Sequence, residues 1–166
     1  MSEFVFDGYR PGALAAAVKL HADYYAREWG FGLAFETKVA GEMAEFLQRM
    51  DPERDLFLTA WRGGELAGSI ALDASGGGEK GAHLRWFIVS DAARGTGLGR
   101  RLMADAMRFA GERGIERMWL TTFAGLDAAR GLYEKHGFRL TRESDADQWS
   151  GGVREQLFER QTPAGG

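Results

Sequence analysis

The chain has 166 residues, 45% of them hydrophobic and 27% charged, with a formal charge of −3. That is enough chain and enough apolar side chain for one domain, read over 1–166, with a full core, and too little for extended disorder. No apolar run approaches the roughly 20 residues a bilayer span needs, and the start, MSEFVFDGYRPG, lacks a secretory layout, so a cytoplasmic protein without membrane contact is expected. The absence of cysteine excludes disulfides, a thiol nucleophile and thiolate metal sites. His21, His83 and His136 are not at metal-ligand spacing, so no metal is expected, and the acidic balance argues against nucleic acid as a partner.

The predicted elements follow in chain order. Residues 3–9 alternate as a strand, and Pro11 opens a helix over about 11–28. Residues 30–35 carry two glycines without a clean period and read as an aromatic loop. Val39, Met43, Phe46, Leu47 and Met50 give a second helix near 36–50, ended by Asp51-Pro52. Leu56–Trp61 and Leu66–Leu72 flank Gly63-Gly64 as an antiparallel hairpin. Residues 75–81 read as a flexible glycine-rich loop, and Ala82–Val89 as a strong strand.

Leu98, Leu102, Ala106, Phe109 and Ala110 then form a helical stripe that ends near Gly114. Residues 115–123 read as a strand, and Leu126, Ala129, Leu132 and Tyr133 as a short helix stopped by His136-Gly137. Strands at about 138–144 and 153–160 complete the chain, with residues 161–166 a flexible tail. The order gives an α/β domain around one mostly antiparallel sheet with helices on its faces.

Arg94-Gly95-Thr96-Gly97-Leu98-Gly99-Arg100-Arg101 lies between a strand and a helix. Its bare amides converge at a helix N-terminus, where backbone N–H groups and the helix dipole favour phosphate. Residues 80–101 hold five basic residues and one acid, Asp91, against the acidic trend of the chain. The cluster lacks the Gly-Lys-Ser/Thr of a nucleotide-binding P-loop, and its last interval differs from the dinucleotide fingerprint G-x-G-x-x-G. A plain strand-to-helix connection is the bland alternative.

Arg94-x-x-Gly97-x-Gly99, after a strand ending Trp86-Phe87-Ile88-Val89, resembles the Q/R-x-x-G-x-G/A signature of the GNAT superfamily of N-acetyltransferases. Independently, Ala129-x-x-Leu132-Tyr133-Glu134-Lys135-x-Gly137-Phe138 resembles that superfamily's later segment. YYAREWGFGLAFE, AHLRWFIV and DQWSGGVREQLFE are similar to the acetyltransferase domain often joined to MarR-type transcription regulators, here without the DNA-binding half. The resemblance implies a GNAT-like mixed sheet of six to seven strands, mostly antiparallel, flanked by about four helices, with a splay between the strands near 82–89 and 115–123. It implies acetyl-CoA as co-substrate. Phe87, Ile88 and Val89 would pair with the pantetheine arm, and amides across Arg94, Gly95, Thr96, Gly97, Leu98, Gly99 and Arg100 would hold the pyrophosphate. Leu126 and Ala129 would lie beside the cofactor, Leu126 replacing a frequent asparagine, while Thr96 replaces a frequent basic residue for which Arg100 and Arg101 could substitute in charge.

By the same resemblance Tyr133 is the acid for the departing thiolate, and His83 stands where many relatives have a glutamate general base. An imidazole suits that task, since an amine of pKa about 10.4 is ammonium at neutral pH and must lose a proton before it attacks. On periodicity alone Tyr133 is a core aromatic, and His83 a strand histidine sharing a face with Arg85, Phe87 and Val89. His21 and His136 look incidental. Residues 1–55 hold ten acids and six bases, and Glu28, Trp29, Phe31, Phe35 and Glu36, with Trp149, are candidates to line a pocket for a cationic amine. Those aromatics could equally plug the core or form a homodimer contact. Without cysteine, transfer is direct. The expected function is acetyl-CoA-dependent N-acetylation of a small-molecule amine or amino acid, against a non-catalytic acyl-CoA sensor or a protein or N-terminal acetyltransferase.

Overall fold

The computed structural model describes residues 4–123, 127–144 and 154–161. Its strands are β1 (Val5–Asp7), β2 (Leu56–Arg62), β3 (Glu65–Asp73), β4 (Ala82–Val89), β5 (Arg117–Phe123), β6 (Arg139–Ser144) and β7 (Glu155–Gln161). Its helices are α1 (Ala13–Trp29), α2 (Leu33–Arg49), α3 (Leu98–Glu112) and α4 (Asp127–Lys135). The seven strands form one sheet in the order β1-β2-β3-β4-β5-β7-β6, antiparallel except for the β4–β5 pair. Among the described residues no helix is long and apolar enough to cross a membrane.

Two cores sandwich the sheet. Leu98, Leu102, Met103 and Ala106 of α3 bury one stripe against Ile70, Leu84 and Met118, joined by Tyr133 of α4. On the other face Ala13 and Ala17 of α1 and Phe35, Val39, Met43 and Phe46 of α2 cover Phe57, Trp61 and Ala71. The four-residue spacing of Ala13, Ala17 and His21 is the inward stripe of α1. Gly68 lets α3 lie close on β3: a Cβ there would meet the Ile88 carbonyl oxygen at 2.9 Å and Leu102 Cδ1 at 3.0 Å.

Two features open the sheet. Strands β4 and β5 pair at Ala82 with Met118 and His83 with Trp119, and the register extends no further although both strands continue for several residues. The expected splay is therefore present. Beside it, Trp86 and Phe87 of β4 stand opposite the single residue Ile70, because Ser69 pairs with Ile88 and Ala71 with Arg85. This is a β-bulge, with Trp86 at φ +51°, a left-handed value costly for a bulky side chain. The Ser69 hydroxyl donates to the Trp86 carbonyl at 2.8 Å and holds the bulge.

Three expectations change. The bulge breaks the alternation along β4, so His83 does not share a face with Phe87 and Val89: those two pack with the α3 core, while Trp86 joins the α1/α2 core. Residues 33–35, read as loop, are the first turn of α2, since Phe35 extends the buried stripe of Val39, Met43 and Phe46. The glycine-rich 75–81 segment is pinned: the Trp119 indole N–H donates to the carbonyls of Gly77 (3.0 Å) and Gly81 (3.1 Å), and the Gly76 N–H to Asp73 (2.8 Å).

Candidate active site

The splay holds two cavities. The first, about 560 Å³, runs along Phe87, Ile88 and Val89 to the glycine turn, where Ala93, Arg94, Gly95, Gly97, Leu98 and Gly99 line it. Gly97 caps α3 at φ +86°, a conformation glycine adopts without strain. A helix leaves its first N–H groups without intrahelical acceptors, and the first amide here to find a backbone carbonyl within the helix is that of Arg101, on Gly97 at 3.1 Å. The wall facing the turn comes from Ala128, Ala129, Leu132 and Tyr133 of α4. Asp91 bridges Arg27 (2.8 Å) and Arg94 (2.9 Å), and Arg94 also lies over the Tyr24 ring at 5.0 Å, so one acid is shared between two cations at the mouth.

A cradle of bare amides at a helix N-terminus, bordered by arginines and continued by an apolar channel, can take a diphosphate with a long thin tail. Thr96 and Arg100 do not line this cavity. The Thr96 hydroxyl instead closes the turn on the Ala93 carbonyl. Arg101 is engaged elsewhere, with Asp105 at 2.9 Å and over the Phe6 ring at 4.3 Å. Leu126 lies outside the described residues.

The second cavity, about 370 Å³, opens on the α1/α2 side of the splay between β4 and β5. Aromatic rings of Phe35, Trp86, Trp119 and Phe123 form much of its wall, with His21, Lys38, Glu42, His83, Arg85 and Glu155, and the phenols of Tyr25 and Tyr133, as the titratable groups. Arg85 pairs with Glu42 and approaches Asp73 at 3.8 Å. Burial lowers the Arg85 pKa, and those two acids counter it. His83 stacks on Trp119 with ring centroids 3.7 Å apart and planes within 11°. Burial, reinforced by the Arg85 charge and opposed by Asp73, pushes its imidazole down to about 3, so it stands neutral at any working pH.

Tyr25, Phe87, Thr122 and Tyr133 line both cavities. Tyr133 is 6% exposed and packed by Phe87, Phe138 and Phe158 at ring separations of 6.1–6.2 Å. Burial pushes its phenol well above the usual range, which keeps it protonated. Tyr25 is pushed the same way, by burial and then by the neighbouring phenols of Tyr133 and Tyr24.

Of the six residues expected at an acceptor pocket, the structure brings Phe35 to the cavity wall. Trp29 and Phe31 stand behind it, packed against Phe123 at 6.1 and 5.5 Å, the first tilted and the second edge-on. Glu28 and Glu36 are exposed and line neither cavity, and Trp149 lies outside the described residues. Sequence reading missed Tyr25, Thr122 and His21. For two of them a signal existed: Ala13, Ala17, His21 and Tyr25 form a four-residue ladder on α1, which sets His21 and Tyr25 on its inward face.

The model of the Acetyltransferase (GNAT) family matches residues 14–138. No curated protein matches the chain. Among solved structures, a GNAT-family acetyltransferase from Staphylococcus aureus Mu50 superposes with TM-score 0.75 at 15% identity, covering 96% of this chain and 99% of that one. A ribosomal-protein-alanine N-acetyltransferase from Brucella melitensis gives TM-score 0.73 at 20% identity, with 95% and 99% covered. Nourseothricin acetyltransferase gives 0.56 at 29% identity over 68% of each chain. With the family model spanning four of the seven strands, the first cavity and the glycine turn, the chain belongs to the GNAT family of acetyltransferases.

Proposed function

We propose that this protein is an acetyl-CoA-dependent N-acetyltransferase that transfers acetyl directly to the amine of a small molecule. The observation that carries it is the junction: a channel suited to a diphosphate-bearing donor and an aromatic cavity suited to an acceptor share the side chains of Tyr25, Phe87, Thr122 and Tyr133. Holding both reactants against one set of groups converts a bimolecular reaction into an effectively unimolecular one. The acceptor cavity, at about 370 Å³, is in the range small ligands occupy, and the likeness to nourseothricin acetyltransferase supports a small-molecule acceptor.

The residues then divide the work. Amides of Gly95, Gly97 and Gly99, which line the first cavity, hold the diphosphate, and the Phe87–Val89 edge, freed from β5 by the splay, offers its backbone to the donor arm and the thioester carbonyl. The acceptor nitrogen attacks that carbonyl carbon as a neutral amine; the C–N bond forms and the C–S bond breaks. Tyr133, held protonated by burial, gives its proton to the departing sulfur and regains one from solvent. Burial and the neighbouring Arg85 cation disfavour the ammonium form of the amine, and His83 accepts a hydrogen bond from the neutral amine. Its low basicity makes it a relay to water rather than a lasting store for the amine's proton.

The test is release of free thiol from acetyl-CoA across a panel of small primary amines, with CoA binding followed by calorimetry. Amine-dependent thiol release is expected. Tight CoA binding with no release for any amine would leave a binding module instead.

A further inference from the structure

We propose that His21 is a specificity residue of the acceptor cavity, its Nε2 taking a hydrogen bond from a second, neutral donor group on an amine with a planar apolar body. The inference rests on the acceptor reading above. Its basis is an acceptor atom with nothing to accept. His21 is 4% exposed, and its Nδ1 lies 2.7 Å from the Ala17 carbonyl oxygen. A carbonyl only accepts, so Nδ1 carries the ring proton and Nε2 keeps a bare lone pair. That Nε2 is buried without a hydrogen-bond partner, in a side chain that forms part of the second cavity's wall. An unsatisfied buried acceptor is costly in the empty protein, and a ligand that supplies a donor removes the cost.

Position on the helix sets the spacing. Tyr25, four residues on, lies on the same face of α1 and lines both cavities. His21 therefore stands about 6 Å further along the helix from the junction where transfer takes place. An acceptor whose amine reaches the junction meets His21 with a group roughly one helical turn away.

The cavity selects the rest of the ligand. Tyr25, Phe35, Trp86, Phe87, Trp119 and Phe123 give it flat apolar walls, which a planar body fills. Lys38 and Arg85 stand against Glu42 and Glu155, a balance that calls for no second charge. Burial holds the His21 ring down to about 4, so the lone pair is present whenever the protein is folded near neutral pH. A ring hydroxyl answers all of these features.

The matched probes are benzylamine and 3-hydroxybenzylamine, tested with wild-type protein and with His21→Phe, which keeps a planar ring and removes the lone pair. In the wild type, kcat/KM for the hydroxylated amine should exceed that for benzylamine by about tenfold, carried mainly by KM. His21→Phe should bring the ratio to within about twofold. Because Phe could disturb α1, nitrogen NMR of histidine-labelled wild type gives an independent readout. Saturating 3-hydroxybenzylamine should move the unprotonated His21 resonance, and benzylamine should not. A wild-type ratio near one, a ratio that survives His21→Phe, an unmoved Nε2, or failure of either amine to bind overturns the proposal. Loss of CoA binding would instead strike the donor reading, which the amine titration by NMR does not need.

Discussion

Tyr133 stands edge-on to Phe87, with ring centroids 6.1 Å apart and planes at 61°, and both rings belong to the walls of both cavities. Phe87 fixes the ring, so removing the phenol oxygen alone leaves the packing in place. Tyr133→Phe should therefore lower kcat by roughly a hundredfold, the lower end of what a positioned proton donor contributes, with CoA affinity changed less than about threefold. Single-turnover kinetics and calorimetry check the two halves. Unchanged turnover would remove Tyr133 from the proton transfer.

Gly97 at φ +86° aims the amides at the start of α3. An added Cβ meets no atom within 4 Å, so the effect of Gly97→Ala is conformational rather than steric crowding. The left-handed region costs an L-residue about 1–2 kcal/mol. Part of that is expected as lost stability and part as a turn that relaxes away from the diphosphate, weakening CoA binding by about tenfold. Urea unfolding and CoA titration of the same variant separate the two. Full CoA affinity in a destabilised variant would show that the turn's shape is not what holds the donor.

The glycine-turn side of the candidate site was legible in the sequence because it is local. Strand, glycine turn and helix are consecutive, and Ala82–Val89 emerges with the bounds the alternation of AHLRWFIV predicts. The acceptor side was not, because it is assembled from α1, α2, β4, β5 and β7 by tertiary contact. His21 looked incidental on an alanine-rich helix, and only burial beneath the sheet face turns its second nitrogen into an orphan. The bulge was equally hidden: nothing in Arg85-Trp86-Phe87 departs from strand chemistry, and its cause is a two-against-one register with β3, set by a partner strand. The charged residues Glu28 and Glu36 misled for a related reason, since helix ends near a site resemble its lining until their direction is known.

Ser69 is fully buried, and its hydroxyl ties the Trp86 carbonyl at 2.8 Å. Ser69→Ala removes the donor and leaves a strained bulge with an unpaired acceptor. A loss of about 1 kcal/mol in urea unfolding is expected, with faster amide exchange through residues 86–88 than elsewhere in β4. Since Phe87 and Ile88 follow directly on the bulge and line the donor channel, CoA affinity should fall with it. Unaltered exchange in that stretch would mean the bulge is held by packing of Trp86 on Phe46, whose rings lie 5.6 Å apart.

Acid stability follows from the two buried histidines. Burial holds His21 down to about 4 and His83 to about 3, whereas an unfolded histidine titrates near 6.5. Between those values the unfolded chain binds more protons than the folded one, so unfolding free energy falls as pH falls. The linkage slope approaches about 1.4 kcal/mol per pH unit for each histidine once pH is well below 6.5. Asp55 does not confound this window. Burial would raise its pKa, but the Ser75 hydroxyl and the amides of Asp51, Ser75 and Ala74 hold it below the usual carboxylate range, and its contribution is lost only at more acidic pH. Wild-type stability should thus be flat from about pH 7.5 to about 9, below the range where unfolded tyrosines ionise, and drop steeply from 6 to 4.5, on the order of 2–4 kcal/mol. His83→Gln should lower the slope in that interval by somewhat less than half, because His21 remains and His136, whose pKa burial and the neighbouring Lys135 and Arg160 also lower, adds a smaller share of the same sign. Urea midpoints measured at half-unit steps decide the matter: a slope that His83→Gln leaves intact would mean His83 titrates in the folded protein as it does in the unfolded chain, and the lowering by burial assigned to it would fail.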